Sequence, residues 1–194
     1  IRMVGDSGTW DGIRLASLVQ IGTVLRNVRV EGLSAAVSGG LQVDNPGNPG
    51  DRPAIVESCL FRSTDPGSVG VYLSGNAGVS SFENNSIDVK AFSIDAAIAG
   101  FNDLLRTSNR YEAPLRVRGS ASSGAHMVWS KPVASDASTQ AIQPTGDLSV
   151  TNGSLRIEAG NRIEMPLDGQ LSMTDSRLVV DGTSSAPVVF QPVA

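Results

Sequence analysis

The carboxylates are the residues of this chain whose type could support hydrolysis. Glycoside hydrolysis needs two Asp or Glu side chains that converge across one bond. Strand periodicity could bring several acidic residues to one face, but their spacings differ; they are Asp44, Asp65, Glu83, Asp95 and Asp103. The chain contains no adjacent pair of aspartates. The sequence therefore predicts no catalytic residue.

Three residues are candidates for ligand contact rather than catalysis. Trp129 could stack on a sugar ring, whereas Asp44 and Asp65 offer oxygen acceptors. The alternative for the tryptophan is a buried plug in the core, and for the aspartates it is a solvated loop. The candidate ligand-binding residues are therefore Trp129, Asp44 and Asp65.

The sequence gives little support for a metal site or for a nucleophilic catalytic site. His126 is the only histidine and Cys59 the only cysteine, whereas a zinc site or a Ser–His–Asp triad needs several partners. The loop 44–53 has oxygen ligands but lacks the Asp-x-Asp-x-Asp-Gly order of a calcium loop. We expect no metal and no cofactor, and we expect Cys59 to be buried.

Composition excludes several classes of partner. The net charge is -4 and the 15 Lys and Arg residues are scattered, so no basic patch is predicted for nucleic acid. There is no apolar run long enough to cross a membrane as a helix. The sequence opens on Ile1 without an initiating Met. We expect it to be a processed or excised piece of a longer protein.

The elements that must position these residues follow from a repeat in the C-terminal part of the chain. Leu148 recurs as Leu171, and Leu155 recurs as Leu178, at one fixed interval. A period of about 23 residues, carried by short alternating stretches, predicts a solenoid of stacked parallel strands. We expect Leu155, Ile157, Leu178 and Val180 to point inward. On that register Leu178→Asp would cost several kcal/mol.

Earlier segments fit the same plan less regularly. Apolar–polar–apolar triplets occur at 41–43, 71–73, 92–94 and 115–117, and 93–105 is predicted as strand, turn and strand rather than a short helix. A second series opens at Leu25, Val56, Phe82 and Leu105. Small polar residues that tolerate a left-handed corner follow each opening residue. They predict a stacked ladder, with independent surface turns as the alternative: Asn27, Ser58, Asn84 and Thr107.

The C-terminal repeats carry a family resemblance. Residues 148–163 read L-x-V-x-x-G-x-L-x-I-x-x-G-x-x-I, and 182–190 read Gly-Thr-Ser-Ser-Ala-Pro-Val-Val-Phe. Both phrases resemble those of secreted or surface bacterial right-handed parallel β-helix proteins of the pectin-lyase-like type. Their usual sequel, G-x-W-x-G-I, stands at the other end of this chain as residues 8–13. The resemblance implies an extracellular or cell-surface location and transfers no catalytic residue.

These observations predict an all-β, right-handed, single-stranded parallel β-helix of about seven to eight coils. Residues 1–194 would form one domain, with a subdomain joint at 131–147 as the alternative. The expected function is a non-enzymatic structural spacer or a surface for adhesion and glycan contact. Two alternatives stay open. One is a fragment of a polysaccharide lyase or glycoside hydrolase, and the other is a structural protein that stacks end to end.

Overall fold

The computed structural model describes residues 2–4, 12–16, 22–33, 39–44, 54–75, 77–105, 108–122, 124–133 and 141–193. These residues form a parallel β-solenoid of about six turns. The strands in chain order are β1 Arg2–Val4, β2 Ile13–Leu15, β3 Thr23–Arg26, β4 Arg29–Glu31, β5 Leu41–Val43, β6 Ala54–Glu57, β7 Leu60–Arg62, β8 Val69–Leu73, β9 Ser81–Glu83, β10 Ser86–Asp88, β11 Phe92–Ala97, β12 Arg110–Tyr111, β13 Leu115–Ser122, β14 His126–Trp129, β15 Ala141–Thr151, β16 Ser154–Glu158, β17 Arg162–Met165, β18 Leu171–Thr174, β19 Arg177–Asp181 and β20 Val189–Pro192. A helix, α1, spans Ile98–Leu104.

The strands stack into sheets that run along the solenoid. The long sheet has the order β2-β5-β8-β11-β13-β15-β17-β20, and β18 pairs with β15 beside that path. The second sheet is β1-β4-β7-β10-β12. Shorter sheets, β3-β6-β9 and β14-β16-β19, close the other side. Every one of these pairings is parallel, so each strand lies on its counterpart from the preceding coil.

The C-terminal repeat is confirmed as the step between coils. Leu148 pairs with Leu171 across β15 and β18, and Leu155 pairs with Leu178 across β16 and β19. The inner apolar residues form one core cluster that extends from Leu15 to Ile163. The triplets alternate as expected, since Leu41 and Val43 are fully buried and Gln42 lies between them on the outer face.

The number of coils was overestimated. The expected number assumed that every residue of the chain belongs to a coil as short as those near the C-terminus. The structure forms about six turns. The N-terminal coils are longer, because the step from Leu41 to its partner Val71 exceeds the step from Leu148 to Leu171. The helix α1 also occupies residues that a regular coil would use for a strand.

Two local predictions need correction. Stacking the triplet 92–94 on the triplet 71–73 would place Phe92 beside Val71, but Val71 pairs with Ile94, and Phe92 pairs with Val69. Ile94 is fully buried in the core, whereas Phe92 is only partly buried and its ring lies against Arg116 on the outer face. The segment 93–105 is strand only at its start and continues as α1.

The helix is held by close packing. A Cβ at Gly100 would lie 2.0 Å from the carbonyl oxygen of Ala77, so only glycine lets α1 approach the preceding coil this closely. Phe101 packs edge-on against Trp129, with ring centres 5.5 Å apart. Asn102 Oδ1 accepts the backbone N–H of Val128 at 2.7 Å. The helix therefore supplies a hydrogen bond that a neighbouring strand would otherwise make.

The predicted ladder residues lie at tight corners between strands. Asn27, Ser58 and Asn84 have φ of 55°, 54° and 56°, in the left-handed region. Their side chains are exposed. Thr107 lies outside the described residues. Asparagine tolerates this conformation because its short side chain bonds locally.

A buried ladder of hydrogen bonds links Cys59, which follows the corner at Ser58, with Asn85, which follows the corner at Asn84, and with Asn109. Asn85 Oδ1 accepts from the backbone N–H of Cys59 at 2.9 Å, and Asn109 Oδ1 accepts from that of Asn85 at 2.9 Å. The amide groups of Asn85 and Asn109 donate to the carbonyls of Val56 and Phe82 at 3.0 and 2.7 Å. These bonds satisfy backbone groups that the corner would otherwise bury unpaired.

Cys59 stands on the first rung of this ladder. The thiol is buried, as expected, and its sulfur lies 3.4 Å from the carbonyl oxygen of Leu25. Burial raises the pKa of Cys59. The thiol therefore stays protonated and acts as a small apolar side chain.

The last coil departs from the expected burial. Leu155 and Ile157 are fully buried, but Leu178 and Val180, their partners one coil later, are 42% and 44% exposed. Their register is as predicted, yet no described coil lies on top of them. The expected cost of several kcal/mol for Leu178→Asp is therefore wrong for this chain alone, because the aspartate would reach water.

The matched pair Leu155→Ala and Leu178→Ala tests this coil-by-coil burial. We expect Leu155→Ala to lower the free energy of unfolding by about 3 kcal/mol, because it leaves a cavity, and Leu178→Ala to lower it by about 1 kcal/mol. Urea denaturation at low chain concentration measures both. Equal losses of unfolding free energy in the two variants would contradict the difference in burial between Leu155 and Leu178.

The corner ladder is tested by comparing neighbours. Asn85→Ala should lower the free energy of unfolding by about 2 to 4 kcal/mol, since it leaves buried N–H and C=O groups unpaired. Asn84→Gly should be within about 0.5 kcal/mol of the parent, because glycine accepts the left-handed corner. Thermal and urea unfolding of both variants provide the measurement. A larger loss of unfolding free energy for Asn84→Gly than for Asn85→Ala would contradict the assignment of the ladder to Asn85.

Candidate functional site

The outer face of the long sheet carries one side chain from each successive strand of the path in a single column. In each strand the residue between two inward-facing residues points outward. Strand register places these middle residues opposite one another. We call this set the polar column, and its members are Arg14, Gln42, Tyr72, Asp95, Arg116, Gln143, Glu164 and Gln191.

Asp95 is the buried anion near the middle of the polar column, with 8% of its surface exposed. Arg116, one coil further along, approaches its Oδ2 at 3.3 Å. Arg118 forms an ion pair with its Oδ1 and donates to the carbonyl of Leu73 at 2.9 Å. Two guanidinium groups therefore hold one carboxylate, which leaves a local excess of positive charge.

Both arginines also lie on aromatic rings. The guanidinium carbon of Arg116 is 3.6 Å from the ring centre of Phe92, and that of Arg118 is 4.5 Å from the ring centre of Tyr72. Such cation–π contacts fix the planar guanidinium groups. Burial lowers the pKa of Arg116, although an arginine stays charged at physiological pH. Each stack forms a flat platform with N–H donors at its edge.

The C-terminal part of the polar column is organised around Glu164. Gln143 donates to its Oε2 at 2.6 Å, and Gln191 donates to its Oε1 at 3.1 Å. Arg162 lies 3.0 Å from the same Oε1. A shallow groove of about 470 Å³ opens beside these residues. Its lining includes Phe92, Arg116, Gln143, Pro144, Leu167 and Val193.

Asp44 lies on the same face, at the N-terminal end and just beyond the polar column. Its carboxylate accepts hydrogen bonds from Arg14 at 2.6 Å, Gln42 at 2.8 Å and Ser74 at 3.4 Å. Burial raises the pKa of Asp44, but the hydrogen bonds from Gln42 and Arg14 and the charge of Arg14 outweigh burial and hold it below its usual value. Asp44 thus borders the candidate surface as an ionised carboxylate.

The other two candidate ligand residues lie elsewhere. Asp65 is in the turn between β7 and β8, where its side chain accepts the backbone N–H of Gly67 at 2.9 Å. Trp129 is 1% exposed and packs against Phe101 in the core. A side chain this deeply buried is out of reach of an external sugar. The position therefore matches the plug that the sequence offered as the alternative.

The carboxylates of the polar column are too far apart for paired acid–base chemistry. Asp95 and Glu164 are separated by three coil steps, or about 14 Å, whereas glycosidases hold their two carboxyl groups about 5 to 9.5 Å apart. Each is also engaged by arginine or glutamine. Among the residues with described positions, no group of three or more His, Cys, Asp or Glu side chains is arranged to hold a metal ion.

A second groove of about 430 Å³ lies on the outer face of β14, β16 and β19. His126 Nδ1 is 2.8 Å from Ser154 Oγ, and Arg156 pairs with Asp181 at 2.6 Å. Valines form part of its lining. This groove lies on the C-terminal coils that the structure describes.

Sequence reasoning missed the polar column, although the signal was present. Gln42, Tyr72 and Arg116 are the middle residues of triplets whose apolar members had been recognised. Listing those middle residues in coil order would have revealed a row of hydrogen-bonding side chains. The pairing of Asp95 with Arg118 could not have been found this way, because it depends on the two-residue slip in β11.

Comparison with protein families, curated proteins and solved structures finds no match to this chain. The class that the geometry defines is therefore a parallel β-solenoid with a polar outer face. In the part of the chain that the structure covers, no helix is both long enough and apolar enough to span a membrane.

The low pKa of Asp44 gives a pH-dependent contribution to stability. A carboxylate whose pKa is depressed by folding stabilises the fold above its unfolded pKa, and this contribution disappears as the pH falls through the folded pKa. Asp44→Asn should therefore reduce the free energy of unfolding at pH 7 by up to about 1 kcal/mol. The difference from the parent should begin to shrink below about pH 4 and should vanish only when the pH is below the lowered pKa of the folded state. Urea unfolding at several pH values measures this difference, and one that persists in strong acid would contradict the assignment.

Proposed function

We propose that this chain is a non-enzymatic extracellular module that acts as a rigid spacer and presents its long outer face to an elongated glycan. In this proposal it is a right-handed parallel β-helix of the pectin-lyase-like type found on bacterial surfaces. The observation that carries the proposal is the polar column. It repeats hydrogen-bonding side chains about every 4.8 Å along one face.

The chemistry of the column suits sugar contact. Planar guanidinium and carboxamide groups donate to hydroxyls, and the Phe92–Arg116 and Tyr72–Arg118 stacks provide flat surfaces for rings. The side chains are already held by one another, so little conformational entropy is lost when a ligand binds. The excess of guanidinium groups around Asp95 favours glycans that carry carboxylates.

Binding to immobilised acidic and neutral polysaccharides tests the proposal. We expect retention on an acidic polysaccharide without release of shorter products. Arg116→Ala and Gln143→Ala should each weaken retention about tenfold, as for residues at the centre of a contact. Affinity electrophoresis gives the retention, and chromatography of the soluble fraction detects cleavage.

Arg62→Ala is the matched control. Arg62 is also an exposed arginine in an ion pair, with Asp88 at 2.9 Å, but it belongs to the second sheet. Its replacement should leave retention unchanged. Equal weakening by Arg62→Ala, or no retention at all, would refute the proposed face. Cleavage that Asp95→Asn or Glu164→Gln abolishes would establish the enzymatic alternative instead.

A further inference from the structure

The floor of the second groove is formed by three strands that lie side by side. β16 is the middle strand, with β14 paired along one edge and β19 along the other. Met127 and Leu155 point into the core, so the residues that alternate with them point outward into the groove. A strand added beyond β19 would extend this outer face rather than cover it.

The outward residues form three rows across these strands. The first row contains His126, Ser154 and Arg177, which are in register. The second row is apolar on either side of an arginine and the third row is acidic; they are Val128, Arg156 and Val179, followed by Glu158 and Asp181. Hydrogen-bond donors and carboxylates therefore lie at opposite sides of the groove.

Arg177 is the arginine that is available to a ligand. The charge of Arg156 is already balanced, because its Nε lies 2.6 Å from Asp181 Oδ2. Among the described residues, no carboxylate forms an ion pair with Arg177. The groove is lined by two guanidinium groups and one carboxylate, although the chain as a whole has a net charge of -4. The first row is thus the positive side of the groove.

The other two residues of the first row add a donor beside Arg177. His126 Nδ1 lies 2.8 Å from Ser154 Oγ. When Nδ1–H donates to this oxygen, the hydroxyl hydrogen of Ser154 is free to donate to a ligand. Ser154 and Arg177 lie on neighbouring strands about 4.8 Å apart. Donors on two strands suit an anion that has oxygens on more than one side.

The number of oxygens separates the possible anions. A planar carboxylate can offer both of its oxygens to one guanidinium group. The sulfate or phosphate group of an ester has three outer oxygens, so two can accept from the guanidinium group of Arg177 and the third from the hydroxyl of Ser154. The apolar part of such an ester would then lie over Val179 in the second row.

We propose that the second groove binds the sulfate or phosphate group of an organic ester at its first row, with the apolar part of the ester on the second row. His126 orients the Ser154 hydroxyl toward the anion. The acidic third row disfavours a second anionic group at the far end of the ligand. This site is separate from the polar column, which lies on the long sheet.

Phenyl sulfate and phenyl phosphate are the probes, and benzoate is the planar control. Isothermal titration calorimetry at low ionic strength should show at least one of the two esters binding at least about tenfold more tightly than benzoate. The corresponding methyl ester lacks the ring and should bind at least about threefold more weakly than the phenyl ester.

Three variants locate the site. Arg177→Gln should weaken binding of the phenyl ester at least about tenfold, because it removes the charged donors, and Ser154→Ala should weaken it about threefold. Arg62→Gln is the matched control, since it removes the same charge from an exposed arginine on the second sheet. Its affinity should equal that of the parent. Equal melting temperatures of parent and variants verify that all of them are folded.

Tighter binding of an ester, lost in Arg177→Gln and kept in Arg62→Gln, supports the proposal, and the preferred probe then identifies sulfate or phosphate. The proposal is overturned if neither phenyl ester binds at millimolar concentration. Benzoate or the methyl ester binding as tightly as the phenyl ester, or equal weakening by Arg62→Gln, would also overturn it. Retention of Arg177→Gln on polysaccharide is measured separately, so the proposed function can stand or fail independently.

Discussion

The structure depends on one constraint: a coil can bury its apolar side chains only when another coil lies on it. Leu155 is fully buried and Leu178, the next residue in the same column, is 42% exposed. The chemical type and orientation of the two leucines are the same. Stability in such a solenoid therefore accumulates between neighbouring coils rather than within any one of them. This constraint explains why the apolar residues recur at a fixed step.

The corners follow from the same constraint. At the corner between β9 and β10, Asn84 is exposed in the left-handed conformation and the next residue, Asn85, is buried. The buried amide is tolerated because it bonds to the corners of the coils before and after it. At α1 the regular stack is interrupted, and Asn102 binds the backbone of β14 in place of a strand. Polar side chains thus form hydrogen bonds with backbone groups where strand pairing is interrupted.

The proposed glycan contact depends on the same register viewed from outside. Once apolar residues stack inside, the intervening residues must stack outside, and this aligns the polar column along one face. The side chains there are tied into pairs around Asp95 and Glu164, an arrangement better suited to holding a ligand than to exchanging protons with it.

Sequence alone determined the class of fold, the step between the C-terminal coils and the inward positions, because alternation and periodicity are local properties that repeat. It also located the left-handed corners at Asn27, Ser58 and Asn84. It did not determine the coil count, the helix at Ile98–Leu104 or the burial of Trp129, since each depends on packing between segments far apart in the chain. The two-residue slip that brings Asp95 beside Arg116 belongs to this second group. Only the tertiary structure decided which equivalent side chains are covered, because burial depends on the neighbouring coil and not on the residue itself.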